Sequence, residues 1–354
     1  MLKIKTMTKI HSALKQAAFF QLFFVFLLSS CTETINFDAE LTEPKLVVHS
    51  YITVGEPISA IIRESKFFLN DTTQHEFVKD ADVSVYVNNS FVEKLKIKIN
   101  SWNEVEYIGE YFPQQNDKIK LVIKRTGKAD VFAETQIETP INIIQIDTTS
   151  KDIQYIYNYE NEEVRSYYKN FKLNFELQLR DDGSKKNYYR LVVERVEVLS
   201  RELYDSEGST FAEVNFTNNS TDANNNKNPL ESALNEIWGV TRSEIKSYNI
   251  FKDDTFNDKI FNLKFSCRVY LEIRNPNFSG SVNDFYKGKK VIYRVYIQSI
   301  TKDFYEYMAS LSALANTNPF FSEAVQIKSN INGGIGILGA YTNSNIVEFE
   351  FVEY

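Results

Sequence analysis

Gly334-Ile335-Gly336-Ile337-Leu338-Gly339 fits G-x-G-x-x-G, the spacing with which a dinucleotide-binding turn brings its backbone up to a pyrophosphate at a helix start. That chemistry also needs a helix, a second strand and a distant acid, yet only fifteen residues follow Gly339 and they read as strand. The glycines are therefore expected at a bend or bulge where strands approach closely. His75-Glu76-Phe77-Val78-Lys79 is half of a zinc-protease H-E-x-x-H helix, but a lysine replaces the second imidazole and the flanks are not helical. The remaining histidine of the body is His49, and Cys267 sits in the strand-like Phe265-Ser266-Cys267-Arg268-Val269. Neither a histidine-rich metal site nor a Cys–His nucleophile is supported, and Cys267 is expected to be a buried, inert thiol. Asp253-Asp254-Thr255-Phe256-Asn257-Asp258 gathers oxygen ligands of the kind an extracellular calcium loop uses. Without EF-hand spacing or its glycine, the stretch reads first as an acidic turn between strands. No catalytic residue, metal ligand or cofactor is assigned.

One spacing does fit a covalent chemistry in full. Lys3, Lys5, Lys9 and Lys15 precede the apolar run Ala17–Leu28, the positive-then-apolar order of a secretory signal. The run is short for a bilayer span, which takes about 20 residues. It closes on Leu28-Ser29-Ser30-Cys31, an aliphatic residue, two small residues and a cysteine, which matches a lipobox. Residues 1–30 are thus expected to be cleaved, with diacylglycerol on the Cys31 thiol. Three palmitate-type chains, at about 0.8 kcal/mol per buried methylene, would hold the body to a membrane. A buried helix apolar on all faces is the alternative, but the polar Thr32–Asp38 follows at once. Thr32, not being aspartate, favours the outer membrane, on its periplasmic or cell-surface face.

Composition narrows the partners. The chain of 354 residues has 40 Lys+Arg and 47 Asp+Glu; without the four leader lysines the balance is 36 against 47, a net −11. Such a charge repels phosphate backbones and excludes the basic footprint of a nucleic-acid binder. With Cys31 and Cys267 as the whole cysteine complement, stability must come from packing rather than disulfides. The aromatic share, 14%, suits large strands around a filled interior.

The pattern along the chain is mainly β. After a tether over 31–43, seven short runs of β-branched and aromatic residues fill 44–140 and predict an immunoglobulin-like β-sandwich. Asn88-Asn89-Ser90 is its hairpin-turn candidate. Residues 141–354 predict a larger β-rich domain. In it Phe171–Leu179 alternates cleanly, turns at Asp181-Asp182-Gly183-Ser184 and is answered across a hairpin by Tyr188–Leu199. Further strands are expected at 260–274, 291–299, 335–341 and 346–352. Two short helices are expected. One starts at Asn228-Pro229-Leu230-Glu231 and runs to Gly239; the other covers Lys302–Ala315, with Phe304, Tyr307, Met308, Leu311 and Leu314 buried as core contacts. Residues 218–227 read as a solvated loop.

In order along the chain, several segments are similar to the bacterial lipoprotein family of unknown function DUF4249. They are the lipobox, Glu43-Pro44-Lys45-Leu46-Val47-Val48, Ala81-Asp82-Val83-Ser84-Val85, Tyr188-Tyr189-Arg190, Asp254-Thr255-Phe256-Asn257 and Asn330-Ile331-Asn332-Gly333-Gly334-Ile335-Gly336. Asp258 departs from the pattern, standing where members often have glycine. The resemblance implies a cell-envelope lipoprotein, often found beside TonB-dependent outer-membrane receptors, with no catalytic residues to carry over. The expectation is therefore a lipid-anchored, non-catalytic binding or accessory module, partnered by such a receptor in solute capture, with the ligand open. The alternatives are an envelope hydrolase of glycans or peptides using acids of the 250–275 region, and a structural or adhesive surface protein.

Overall fold

The computed structural model describes residues 43–65, 77–99, 104–160, 162–199, 206–211, 214–216, 249–254, 256–274, 289–315 and 326–353. The expected leader with its lipobox, the 228–239 helix, the 218–227 loop, His75, Glu76 and Thr255 lie outside them. Residues Pro44–Tyr354 make one compact unit.

The amino-terminal half is built from β1 (Leu46–Thr53), β2 (Ser59–Glu64), β3 (Asp82–Val87), β4 (Ser90–Lys94), β5 (Lys96–Ile99), β6 (Val105–Ile108), β7 (Lys118–Lys124) and β8 (Val131–Gln136). Period-two alternation decides which face each strand hides. Val48 and Ile52 of β1, Val83 and Val85 of β3, and Leu121 and Ile123 of β7 point into one shared core. The pairing order is β1-β2-β6-β5 in one sheet and β4-β3-β7-β8 in the other. In immunoglobulin terms these are A-B-E-D and C′-C-F-G, so the expected sandwich is present in topology, with eight strands where seven runs are expected. Asn88 and Asn89 both take positive φ, 51° and 68°, and close the β3–β4 hairpin.

The remaining strands are β9 (Asn142–Glu160), β10 (Glu163–Arg180), β11 (Tyr188–Leu199), β12 (Ser206–Phe211), β13 (Val214–Phe216), β14 (Ile250–Lys252), β15 (Ile260–Arg274), β16 (Lys289–Ile300), β17 (Ile335–Asn343) and β18 (Val347–Glu353). Sheet β13-β15-β10-β9 faces a sheet containing β12-β11-β16-β17. Phe175, Leu177, Phe265 and Leu263 meet Tyr293, Val295 and Leu191 in the core between them. The Phe175 and Phe265 rings stack at 4.7 Å. One parallel pairing, β1 with β17, continues this large sheet into the amino-terminal sandwich. The helix α1 (Lys302–Ala315) covers the sheet's other face, where Ile300, Ile337, Phe304 and Met308 form a third apolar cluster.

Two local expectations need correction. Strands β10 and β11 do not form a hairpin: β10 pairs with β9 and β15, whereas β11 pairs with β12, β14 and β16. Each has one apolar face, and burying both is achieved across the core rather than side by side. The connection is fixed by Asp181, which accepts hydrogen bonds from the Tyr189 hydroxyl and from Asn187 Nδ2. Leu314, expected to be buried, is 43% exposed at the helix end.

Candidate functional site

Where α1 crosses the large sheet, the two surfaces do not close fully and leave a cleft of about 370 Å³. The sheet supplies Tyr51 from β1, Arg190 and Val192 from β11, Tyr296 and Gln298 from β16 and Tyr341 from β17. These project from the face opposite the main core, because their neighbours Leu191, Val295 and Ile297 point into it. The helix supplies Phe304, Tyr307, Met308 and Leu311, the i, i+3, i+4, i+7 stripe that the sequence marks as core. The stripe is both packing surface and cleft wall.

Glycines set how closely that wall sits. A Cβ at Gly339 would lie 2.7 Å from Cγ of Phe304, so the missing side chain is what seats the helix ring on β17. At Gly336, φ is +114° and a Cβ would fall 2.0 Å from the Val48 carbonyl oxygen, its partner in the parallel pairing. The G-x-G-x-x-G stretch thus serves the close strand approach that the sequence reading expects, at Gly336, and a helix approach that it does not, at Gly339.

The cleft floor is polar. Arg190 Nη1 donates to Gln298 Oε1 at 3.4 Å, and Gln298 Nε2 donates to Asn343 Oδ1 at 3.1 Å. Burial raises the Tyr296 and Tyr341 hydroxyls above the usual phenol range, Tyr341 to about 12, so both stay protonated donors at any physiological pH. At the rim Tyr51 is 46% exposed, its ring 5.2 Å from Phe304. His49, a candidate ligand by residue type, instead shares a 3.1 Å hydrogen bond between Nε2 and the Tyr307 hydroxyl. Burial, then the Arg63 charge, lowers its pKa and keeps the ring neutral. Beside the cleft, across Tyr296, opens a shallower depression of about 510 Å³. It holds Glu194, Arg294 and Glu348, which face one another across three strands, with Arg294 Nε 2.8 Å from Glu348.

The other sequence candidates do not reach this cleft. Cys267 is 1% exposed in the main core, and burial pushes its thiol up to about 12. In the acidic turn, Asp253 is buried and accepts from the Asn187 backbone N–H at 2.7 Å; burial raises its pKa, and the Asp181 and Asp254 charges add to this. Asp254 is drawn up by burial but held lower, on balance, by Lys186 at 2.7 Å and Lys252 at 2.6 Å. These carboxylates are spent on internal contacts, and among the described residues no group of three or more His, Cys, Asp or Glu is arranged to hold a metal.

A second feature stands out on β9 and β10. Nineteen residues at about 3.4 Å each give β9 a length of roughly 65 Å, and from Asp147 onward its side chains are exposed. Asp152, at φ 55°, makes a bulge opposite Phe171. Beyond it Tyr155, Tyr157 and Tyr159 line up beside Tyr167 of β10, with ring spacings of 5.7 to 6.5 Å. Tyr159 is 66% exposed and Ile156, on the opposite face, 57%. This arm carries aromatic surface past the edge of the core.

The family model for a domain of unknown function, DUF4249, matches residues 32–346. The chain belongs to the DUF4249 family. Among solved structures, this DUF4249 chain is similar to a crystal structure described as "Putative membrane anchored protein from Corynebacterium diphtheriae", at 10% identity and a TM-score of 0.19. That alignment covers 72% of this chain and 54% of the other, so the chain spans about half the length of the structure it matches. No curated protein matches. Sequence reasoning missed Tyr51, Arg190, Tyr296, Gln298 and Tyr341. The signal that could have found them is a polar side chain, Arg190 or Gln298, next to an apolar stretch of its strand, Leu191-Val192-Val193 in β11 and Val295-Tyr296-Ile297 in β16.

Proposed function

We propose that this protein is an outer-membrane lipoprotein, held by acyl chains on Cys31, that acts without catalysis as a binding and accessory module for a TonB-dependent receptor in solute capture. The observation that carries the reading is the tyrosine arm. Tyrosine offers large, stiff contact area with a hydrogen-bonding tip, which is why it dominates protein-binding hot spots. Four such rings on β9 and β10, with β15 paired on the other side of β10, make a surface suited to a barrel's periplasmic or extracellular rim. The anchor has support from the lipobox and from the family match beginning at Thr32, immediately after the cysteine. Among the described residues no helix is long and apolar enough to cross a membrane. Guanidinium, amide and phenol groups on the cleft suit holding a solute. Of the hydrolase alternative's acids in the 250–275 region, Asp253 and Asp254 are taken up by internal contacts. Affinity purification of the tagged lipoprotein from detergent-solubilised envelopes tests the reading: a stoichiometric outer-membrane barrel should accompany it, and recovery of the lipoprotein alone would contradict it.

A further inference from the structure

The cleft under α1 has the chemistry of a site for one class of solute. Its apolar wall sets aromatic rings beside Val192, Met308 and Leu311, with Tyr51 and Phe304 tilted 37° to each other at the mouth. Its floor presents a guanidinium, a carboxamide and two phenols, groups that donate and accept in fixed directions. Tyr296 and Tyr341, both half-buried on the cleft, add two phenol groups there, kept protonated because burial raises them above the usual phenol range. An acyl chain would strand these polar groups against hydrocarbon, at a cost of roughly 1–3 kcal/mol each. A phosphorylated or sulfated ligand asks for clustered cations, whereas among the described residues Arg190 is the single cation lining the cleft and the adjoining depression sets Arg294 between two carboxylates. A ligand with an apolar face and an equator of hydroxyls meets both demands at once.

We infer that the cleft binds a neutral oligosaccharide, one pyranose stacked on Tyr51 and Phe304 with hydroxyls on Gln298 and Arg190, and the next unit running past Tyr296 toward Glu194 and Glu348. The volume of about 370 Å³ falls in the range of small-molecule sites and holds a ring or two, not a folded polymer. The shared Tyr296 edge makes the two depressions a path rather than isolated pits. This deepens the proposed binding role and rests on it.

The test uses the full acylated chain in an amine-oxide detergent, because a maltoside would compete. Neutral tetrasaccharides of the malto, cello, xylo, manno and chito series are titrated by calorimetry, with product analysis alongside. At least one series should bind at millimolar affinity or tighter. Tyr51→Ala and Gln298→Ala should each weaken it about tenfold, while Tyr51→Phe stays within about threefold and all three keep the thermal midpoint of the parent. No binding by any series at about 10 mM, or binding indifferent to Tyr51→Ala and Gln298→Ala, overturns the inference. Loss of binding in all series together with recovery of a barrel partner sinks the ligand class and leaves the module reading. Accumulation of shortened products does the reverse.

Discussion

Asp117 shows how one side chain can hold several elements. It is buried, and burial alone would raise its pKa; hydrogen bonds from the Gln114 backbone N–H, the Tyr111 hydroxyl and Asn88 Nδ2 outweigh that and bring it below 3.8. It thereby ties the β3–β4 turn to the approach into β7. A carboxylate with a depressed folded pKa stabilises fully above its unfolded value and loses that contribution as pH falls through the folded value. Asp117→Asn, which points an amide N–H₂ at donors, should cost about 2 kcal/mol at pH 7. Denaturant titrations of both proteins should show that gap narrowing below pH 3.8; a pH-independent gap would mean the charge is not what the three donors hold. Cys267 gives a second residue-scale expectation. With its thiol at about 12 and 1% exposure, it should resist iodoacetamide in the native state at pH 8 and react once the chain is unfolded.

Among the elements, β17 is the most constrained, since it pairs in parallel with β1 while seating α1. Gly336→Ala would force a Cβ into the Val48 carbonyl, a backbone atom that cannot turn aside, so a loss of roughly 3 kcal/mol or more is expected. Gly339→Ala meets the Phe304 side chain instead and should cost about 1–3 kcal/mol, with the damage confined to α1. Far-ultraviolet and near-ultraviolet circular dichroism during melting would separate the two. These glycines were readable as a close approach because their spacing made sense only in a strand. The short strands of the sandwich were readable too, since each alternates over one buried face. The outer part of β9 was not: Asp147–Asp152 is polar throughout, and the alternating Tyr155, Tyr157 and Tyr159 beyond it face solvent rather than a core. The cleft escaped the sequence for another reason. Tyr51, Arg190, Gln298 and Tyr341 come from strands spread over nearly the whole chain, and the β1–β17, β17–β16 and β16–β11 pairings together bring them to one face.

For the molecule as a whole, the account divides labour between an anchor, an arm and a cleft. The arm's tyrosines touch one another more than the core, so replacing Tyr155, Tyr157, Tyr159 and Tyr167 by serine should change global stability by about 1 kcal/mol or less. The same variant should lose its barrel partner in affinity purification; retention of the partner would relocate the interface. All of this presupposes that the body stands at a membrane. Mass spectrometry of the mature amino terminus tests that most directly. The account predicts a peptide beginning at Cys31 that carries diacylglycerol on sulfur, and an uncut precursor or an unacylated Cys31 would contradict it.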